Sequence, residues 1–316
     1  MSVAVHVDQR RDVALLGASE AAGVMGLDKY NPPIAIWRRH RGLTVRDDGG
    51  NAEACYWGTV LEPVIRGKYA LDRKVRVFVP TASYTLDGWL RCTPDGLVEE
   101  PTFVESDIGT TEFDPAGAGS AVVEMLRQEK ALGGLQVKTC SAWLEDDWRD
   151  GPPAKYEVQC RVEMAVADLP WVDIVCLCGG QKQIGPLRIE RDPAIEDRIL
   201  TSLREFWAMV RDGREPTPDH TDAWRAHVSE KMERARPVMV AADGHATALL
   251  ARWREQRIFR KRAKASEDQT KNEILLWLSA AAVTRIDCGD KADNVTAYRT
   301  KNTWALRTPT SWKEDA

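Results

Sequence analysis

Long hydrophobic runs are missing from this 316-residue chain. A membrane-spanning helix needs about 18 or more apolar residues in a row. The most apolar short window, Trp171 to Cys178, is strand-sized and carries Asp173. The opening residues, MSVAVHVDQRRD, lack the basic start, apolar stretch and cleavage site of a signal peptide, so a cytoplasmic location with no membrane partner is expected. Paired cysteines are missing too. Cys55, Cys92, Cys140, Cys160, Cys176, Cys178 and Cys288 are odd in number and include no CxxC spacing. Reduced thiols follow, and a zinc site is disfavoured because no nearby Cys or His completes a tetrahedral set. The five histidines show no partner pattern. An excess of positive charge is absent as well. The formal net charge is -4, which argues against a generally basic nucleic-acid binder, so any DNA contact must rest on local charge. No internal repeat or low-complexity tract is seen.

What is present is a globular composition. Hydrophobic residues make up 43% and charged residues 29%, enough for a sizeable core in one large domain or two smaller ones. Residues 10–45 read as helices. One opens near Ser19 ahead of an alanine-rich stretch; the next opens at Pro32-Pro33 and closes at Gly42. Residues 53–72 form an amphipathic helix that Pro63 is expected to interrupt or kink. VRVFVP (75–80) has strong β-propensity, and GWLRCTPDGLVEE (88–100) reads as strand, turn, strand with Pro94-Asp95-Gly96 as the turn. Residues 101–120, rich in Gly, Thr, Asp and Pro, are expected as loop within an insertion at 101–132. GGLQVKT (133–139) reads as a strand, 153–169 as a helix, WVDIVCLCGG (171–180) as a buried strand and 193–211 as a helix. Long mixed-charge helices are expected over 219–236 and 241–283, and VTAYRTKNTWALR (295–307) alternates like a hairpin. The order predicts an α/β domain over 1–215 and a helical extension with a short terminal hairpin over 216–316.

Hydrolysing a phosphodiester requires an activated water and neutralisation of charge at phosphorus. Mg²⁺ supplies both when one or two carboxylates hold it and water remains in its shell. A neighbouring lysine can orient the water or stabilise the developing charge. One compact design places an Asp at a turn, with an acid and a Lys two apart on the adjacent strand, because residues i and i+2 share a face. Pro94-Asp95 followed by Gln136-Val137-Lys138 has this PD…(D/E)XK form, with Gln136 where an acid is expected. By itself the spacing is weak: TPDG is an ordinary turn, and Lys138 could be an exposed strand lysine.

Five blocks in order strengthen it. GASEAAGVMGLDKYNPPIAIWRRHRGL (17–43), WGTVLEPVIRGKY (57–69), TPDGL (93–97), GLQVKT (134–139) and PAKYEVQCRVEMAVADLPWVDIVCLCGG (153–180) resemble the YqaJ-type, lambda-exonuclease-like viral recombinase family of the PD-(D/E)XK nuclease superfamily. The resemblance implies a restriction-endonuclease-like α/β core with a mixed central sheet flanked by helices. It implies a Mg²⁺-dependent 5′→3′ exonuclease (Mn²⁺ able to substitute) that digests linear double-stranded DNA from its ends and leaves 3′ single strands for a phage annealing protein in a bacterial host cell. It also implies a closed homo-oligomeric ring, a trimer in preference to a tetramer. Residue by residue, Asp95 and position 136 would ligate metal with the Val137 carbonyl, and Lys138 would position the water. Glu62 and Gln159 would line the site and help hold a second metal or its waters. Ser19 would bind the terminal 5′-phosphate, with Arg11 its cationic partner and Arg10 competing for that place. The alternative readings are Ser19 as a helix cap, Glu62 as a solvated helix charge and Gln159 as a structural amide. Tyr156 is assigned to the scaffold.

Gln136 leaves two readings open. Either it was introduced to disable a Glu, leaving a chain that binds DNA and cuts it poorly, or it is the natural residue at a position where the superfamily tolerates variation. Two rivals to an exonuclease also stand: a DNA-end-binding protein that has lost its chemistry, and an endonuclease or nickase on the same fold. In the last third, ARWREQRIFRKRAK (251–264) carries seven Lys or Arg against one Glu and could track a phosphate backbone or pair with Glu267, Asp268 and Glu273. Trp253, Ile258, Phe259, Ile274, Leu275, Trp277 and Leu278 read as packing positions of a helical hairpin.

Overall fold

The computed structural model describes residues 3–6, 15–44, 52–99, 109–113, 132–235, 241–286, 295–301 and 303–307. Arg10, Arg11, Cys288 and most of the 101–132 insertion lie outside the described residues. The chain divides into two compact units, Met1–Ala235 and Arg236–Ala316. No helix among the described residues is long and apolar enough to cross a membrane.

The first unit begins with strands β1 (Val3–His6) and β2 (Leu16–Gly17), a 3-10 turn (Ala18–Glu20) and helices α1 (Ala21–Val24), α2 (Pro33–His40) and α3 (Ala52–Arg73). Strands β3 (Arg76–Pro80), β4 (Ser83–Leu86), β5 (Leu90–Cys92), β6 (Gly96–Glu99), β7 (Gly109–Phe113) and β8 (Leu132–Cys140) follow. Then come α4 (Ala154–Ala167), β9 (Trp171–Cys178), β10 (Lys182–Glu190), α5 (Pro193–Asp212) and α6 (Asp222–Glu233). The main sheet is six-stranded and mixed, in the order β10-β9-β8-β6-β3-β7, with β8 parallel to β9 and β7 parallel to β3. A smaller sheet runs β1-β4-β5-β2.

Alternation along β8 and β9 sorts the two faces of the main sheet. Leu135, Val137 and Val175 pack with Ile65, Tyr69 and Ala70 of α3. Val172, Ile174 and Cys176 pack with Cys160, Val162 and Met164 of α4 in the larger core. Side chains along a strand alternate, so Gln136 and Lys138 belong to the α4 side and Val137 to the α3 side. The buried Asp173 is satisfied by Tyr69 Oη, which donates at 2.8 Å, and by Arg188 Nε at 2.8 Å.

Several elements differ from expectation. The 10–45 region contains a strand and a 3-10 turn ahead of its helices, since Leu16 and Gly17 pair with Leu90 and Arg91. Helix α3 runs through Pro63. Burial of Ile65, Tyr69 and Ala70 outweighs the one hydrogen bond that proline removes. Inside the expected 101–120 loop, Gly109–Phe113 forms the edge strand β7. Strands β4 and β10 were not anticipated either; β10 lies at the other edge of the main sheet, exposed along much of its length, so it lacks the apolar alternation of a half-buried strand. Helix α6 stands in the first unit although the extension was expected to begin at 216. It docks on α2: Arg38 bonds His227 Nδ1 at 2.5 Å and Glu230 at 2.6 Å, and Trp37 meets the His227 ring edge-on.

The second unit holds α7 (Gly244–Ala280) and the antiparallel sheet β11 (Arg285–Ile286), β12 (Val295–Arg299) and β13 (Trp304–Arg307). The terminal hairpin pairs Thr296 with Arg307 and Arg299 with Trp304. The long helix expected over 241–283 is found as one 37-residue helix, which no proline and no glycine interrupts after Gly244, but most of the residues expected to pack it into a hairpin are not buried. Trp253, Ile258, Phe259 and Trp277 are exposed on it.

Candidate active site

The site is assembled where the β5–β6 turn meets the middle of β8. Gly96 follows Asp95 and enters β6 so close to β3 that an added Cβ would fall 2.6 Å from Val77 Cγ1. This close approach fixes the turn, and Asp95 Oδ2 accepts the Val137 N–H at 2.7 Å. The first carboxylate is thereby tied to the strand that carries Gln136 and Lys138.

On the α4 side, Gln136 is 1% exposed and its Oε1 accepts from two donors, Lys138 Nζ and, at 3.0 Å, Gln159 Nε2. Gln159 Nε2 also donates to Glu163 Oε1 at 2.9 Å. Gln159 and Glu163, four apart on α4, share one helix face. Glu163 is 1% exposed, and its Oε2 has no hydrogen-bond partner among the described residues. From α3, Arg66 Nη1 bridges Glu62 Oε1 at 2.8 Å and the Asp95 carbonyl at 2.9 Å. Lys138 Nζ also lies 5.4 Å from the centre of the Tyr156 ring, which stacks on Trp148 as a scaffold aromatic.

The electrostatics are those of carboxyls short of cations. Burial, with the Glu62 charge adding to it, pushes Asp95 up to about 6 against the pull of Lys138, the Val137 N–H and Arg66. Burial, then the Asp95 charge, pushes Glu163 up to about 8 against Lys138 and the Gln159 amide. The Asp95 charge thus opposes ionisation of Glu163, so ionising both calls for added positive charge. The oxygen-rich donor set and the unpartnered Glu163 oxygen fit a hard divalent cation such as Mg²⁺. Among the described residues no three His, Cys, Asp or Glu side chains converge on one point.

Beside these groups lies a cleft of about 400 Å³, lined by Gly17, Ser19, Ser83, Arg91, Thr93, Gln159 and Glu163 among others. Ser19 is exposed within the 3-10 turn, whose N-cap position is Gly17, so the serine is not a helix cap. Glu20 builds that turn. It accepts from the Gly17 N–H at 3.0 Å, from His40 Nε2 at 3.0 Å and from Arg39. Although burial raises it, the bonds from His40, Gly17 and Arg39 hold Glu20 down at about 2. The structure thus brings Asp95, Gln136, Lys138 and Gln159 together, with Glu62 reaching Asp95 through Arg66 and Ser19 across the cleft. Sequence reasoning missed Arg91 and Glu163. Arg91 looked like an ordinary strand residue; Glu163 sits four after Gln159, a helical spacing that could have pointed to it.

Residues 6–170 match the model of the YqaJ-like viral recombinase domain. The chain belongs to the YqaJ-like viral recombinase family. The match takes in Glu62, Asp95, Gln136, Lys138, Gln159 and Glu163. The uncharacterized protein YqaJ of Bacillus subtilis (strain 168) is 25% identical over 222 residues, 68% of this chain and 60% of that protein. The chain therefore matches less than two thirds of that relative's length. An alkaline exonuclease from Laribacter hongkongensis resembles it at 19% identity and a TM-score of 0.45, over 71% of this chain and 96% of that one. The same exonuclease in complex with dAMP gives 21% identity and a TM-score of 0.44 over the same shares.

Proposed function

We propose that this family member is a divalent-metal-dependent exonuclease acting on linear double-stranded DNA from its ends. The observation that carries the reading is the bond from the Val137 N–H to Asp95, which sets a carboxylate against the strand bearing Gln136 and Lys138. Asp95, Gln136 Oε1 and the Val137 carbonyl would hold Mg²⁺, or Mn²⁺ in its place, with Glu62 near a second ion or its waters. When bound, the ion lowers the pKa of a water and offsets charge on the scissile phosphate.

The chain's own groups do the rest. Lys138 orients the attacking water and offsets charge developing on phosphorus. Gln159 keeps the Gln136 amide turned toward the lysine. Ser19 and Arg91, on one cleft, bind a terminal 5′-phosphate, while Arg11 lies outside the described residues. A 5′-phosphate bound beside the reacting groups sets a 5′→3′ direction and leaves 3′ single strands, the substrate of a phage annealing protein in the host cytoplasm. A homo-oligomeric ring, a trimer in preference to a tetramer, would keep the enzyme on its duplex.

The test compares linear duplex carrying 5′-phosphate with 5′-hydroxyl ends, and covalently closed plasmid, with Mg²⁺ and with EDTA. Phosphorylated linear duplex should be digested fastest, closed plasmid left intact, and Asp95→Asn or Lys138→Ala should cut the rate by about a hundredfold or more. Cleavage of closed plasmid would establish an endonuclease instead. A second reading has its own observation: the oxygen of Gln136 is neutral and already accepts two hydrogen bonds. That favours a DNA-end-binding protein, and end binding without Mg²⁺- or Mn²⁺-dependent digestion would establish it.

A further inference from the structure

The site has an amide where its strand calls for an acid, and an acid where its helix calls for nothing. Gln136 offers one neutral oxygen, shared between Lys138 and Gln159. The Gln159 amide nitrogen links that oxygen directly to a carboxylate, Glu163 Oε1. Glu163 projects from α4 on the face that carries Gln159, toward the side of β8 that carries Gln136 and Lys138. It lines the cleft and is 1% exposed, with no Arg or Lys side chain bonded to it among the described residues. Its second oxygen, Oε2, is buried without any hydrogen-bond partner there. Buried carboxylate oxygens are normally satisfied by donors or by a metal ion. A carboxylate with one oxygen anchored and one bare, facing a cleft, is built to receive a cation.

We propose that Glu163 supplies the carboxylate that Gln136 lacks, so that the acidic pair holding a divalent cation is Asp95 with Glu163. The negative charge has moved from the strand to the helix, across the Gln159 amide, and the site stays complete with glutamine at 136. Gln136 then serves as a positioning residue for Lys138. The inference rests on the metal-dependent reading above, and it makes Gln136 a working residue of an intact site. A purely structural Glu163, held neutral as a buried acid, is the alternative, and it would tolerate glutamine without effect on metal binding.

The experiment titrates the full chain with Mn²⁺ in the absence of DNA, reading free Mn²⁺ by electron paramagnetic resonance. Thermal unfolding of each variant is followed alongside. Glu163→Gln should weaken Mn²⁺ binding by about tenfold or more, and Asp95→Asn likewise. Adding Gln136→Glu to Glu163→Gln should restore most of the lost affinity by returning the charge to the strand. An Mn²⁺ affinity unchanged by Glu163→Gln overturns the proposal, as does failure of the wild-type chain to bind Mn²⁺. If Glu163→Gln fails to fold, Glu163→Asp, whose carboxylate is drawn back by one methylene, takes its place and must weaken Mn²⁺ binding; no change overturns the proposal. Digestion of linear duplex separates the two levels. Glu163-dependent Mn²⁺ binding without digestion keeps this inference and removes the exonuclease. Digestion with Mn²⁺ binding indifferent to Glu163 does the reverse.

Discussion

At the scale of single residues, the site depends on groups that never touch a substrate. Glu20 is the clearest. Three donors converge on its two oxygens and hold the turn that presents Ser19 to the cleft. Its folded-state pKa of about 2 lies below its ordinary value, so its ionised form favours the folded state. That contribution is full above the ordinary carboxylate range and disappears as pH falls toward about 2. Glu20→Gln should therefore cost up to about 3 kcal/mol at neutral pH, with the gap to wild type closing between about pH 4.5 and 2. Urea unfolding at stepped pH measures it; a gap independent of pH would remove the ionic role. Raised binding of 5′-phosphate ends in the same variant would further show that Glu20 does not order Ser19.

At the scale of elements, close approach between strands sets the frame. Strand β8 opens with Leu132-Gly133-Gly134, and an added Cβ at Gly133 would sit 2.2 Å from ring atoms of Trp171 on β9. That indole also carries the Arg188 guanidinium, centred 3.6 Å from the ring. The alanine methyl would overlap the ring unless it shifts. Gly133→Ala should destabilise the first unit by about 1–3 kcal/mol through overpacking. Because β8 carries Gln136 and Lys138, it should also lower digestion. Guanidinium unfolding and a digestion assay check both; wild-type stability would show that the ring can move.

At the scale of the whole molecule, the two units divide the work of folding. Both buried clusters of the first unit lie within residues 1–235. A fragment 1–235 should melt cooperatively, as followed by circular dichroism, whereas a broad, non-cooperative melt would show that its core needs the rest of the chain. In the second unit α7 exposes Leu250, Trp253, Ile258, Phe259, Leu276 and Trp277 along a single helix. Apolar area of that kind on a helix fits contact between subunits. Native mass spectrometry of the full chain should give a trimer, and Trp253→Ser with Phe259→Ser should shift it toward monomer. A monomeric wild type would refute the ring.

How much was legible in the sequence differs by element. Helices α3, α4 and α5 and strands β8 and β9 were readable from periodicity, because their own residues bury one face. Strand β7 was not, since its neighbours are rich in Gly, Asp and Pro and its pairing with β3 is long-range. Helix α7 was readable as a long helix, but the exposure of its apolar residues was not, because an apolar face reads alike whether it is covered or open. In the site, Asp95, Gln136 and Lys138 were singled out by a turn and a spacing of two on one strand, weak alone and strengthened by the five ordered blocks around them. The sequence by itself determined the family blocks, the residue types and the missing acid at 136. Only the tertiary structure decided which acid stands beside Gln136. Gln136 and Glu163 are 27 positions apart, on a strand and a helix, and no local period relates them; they meet because α4 crosses back over the sheet and the Gln159 amide spans the gap.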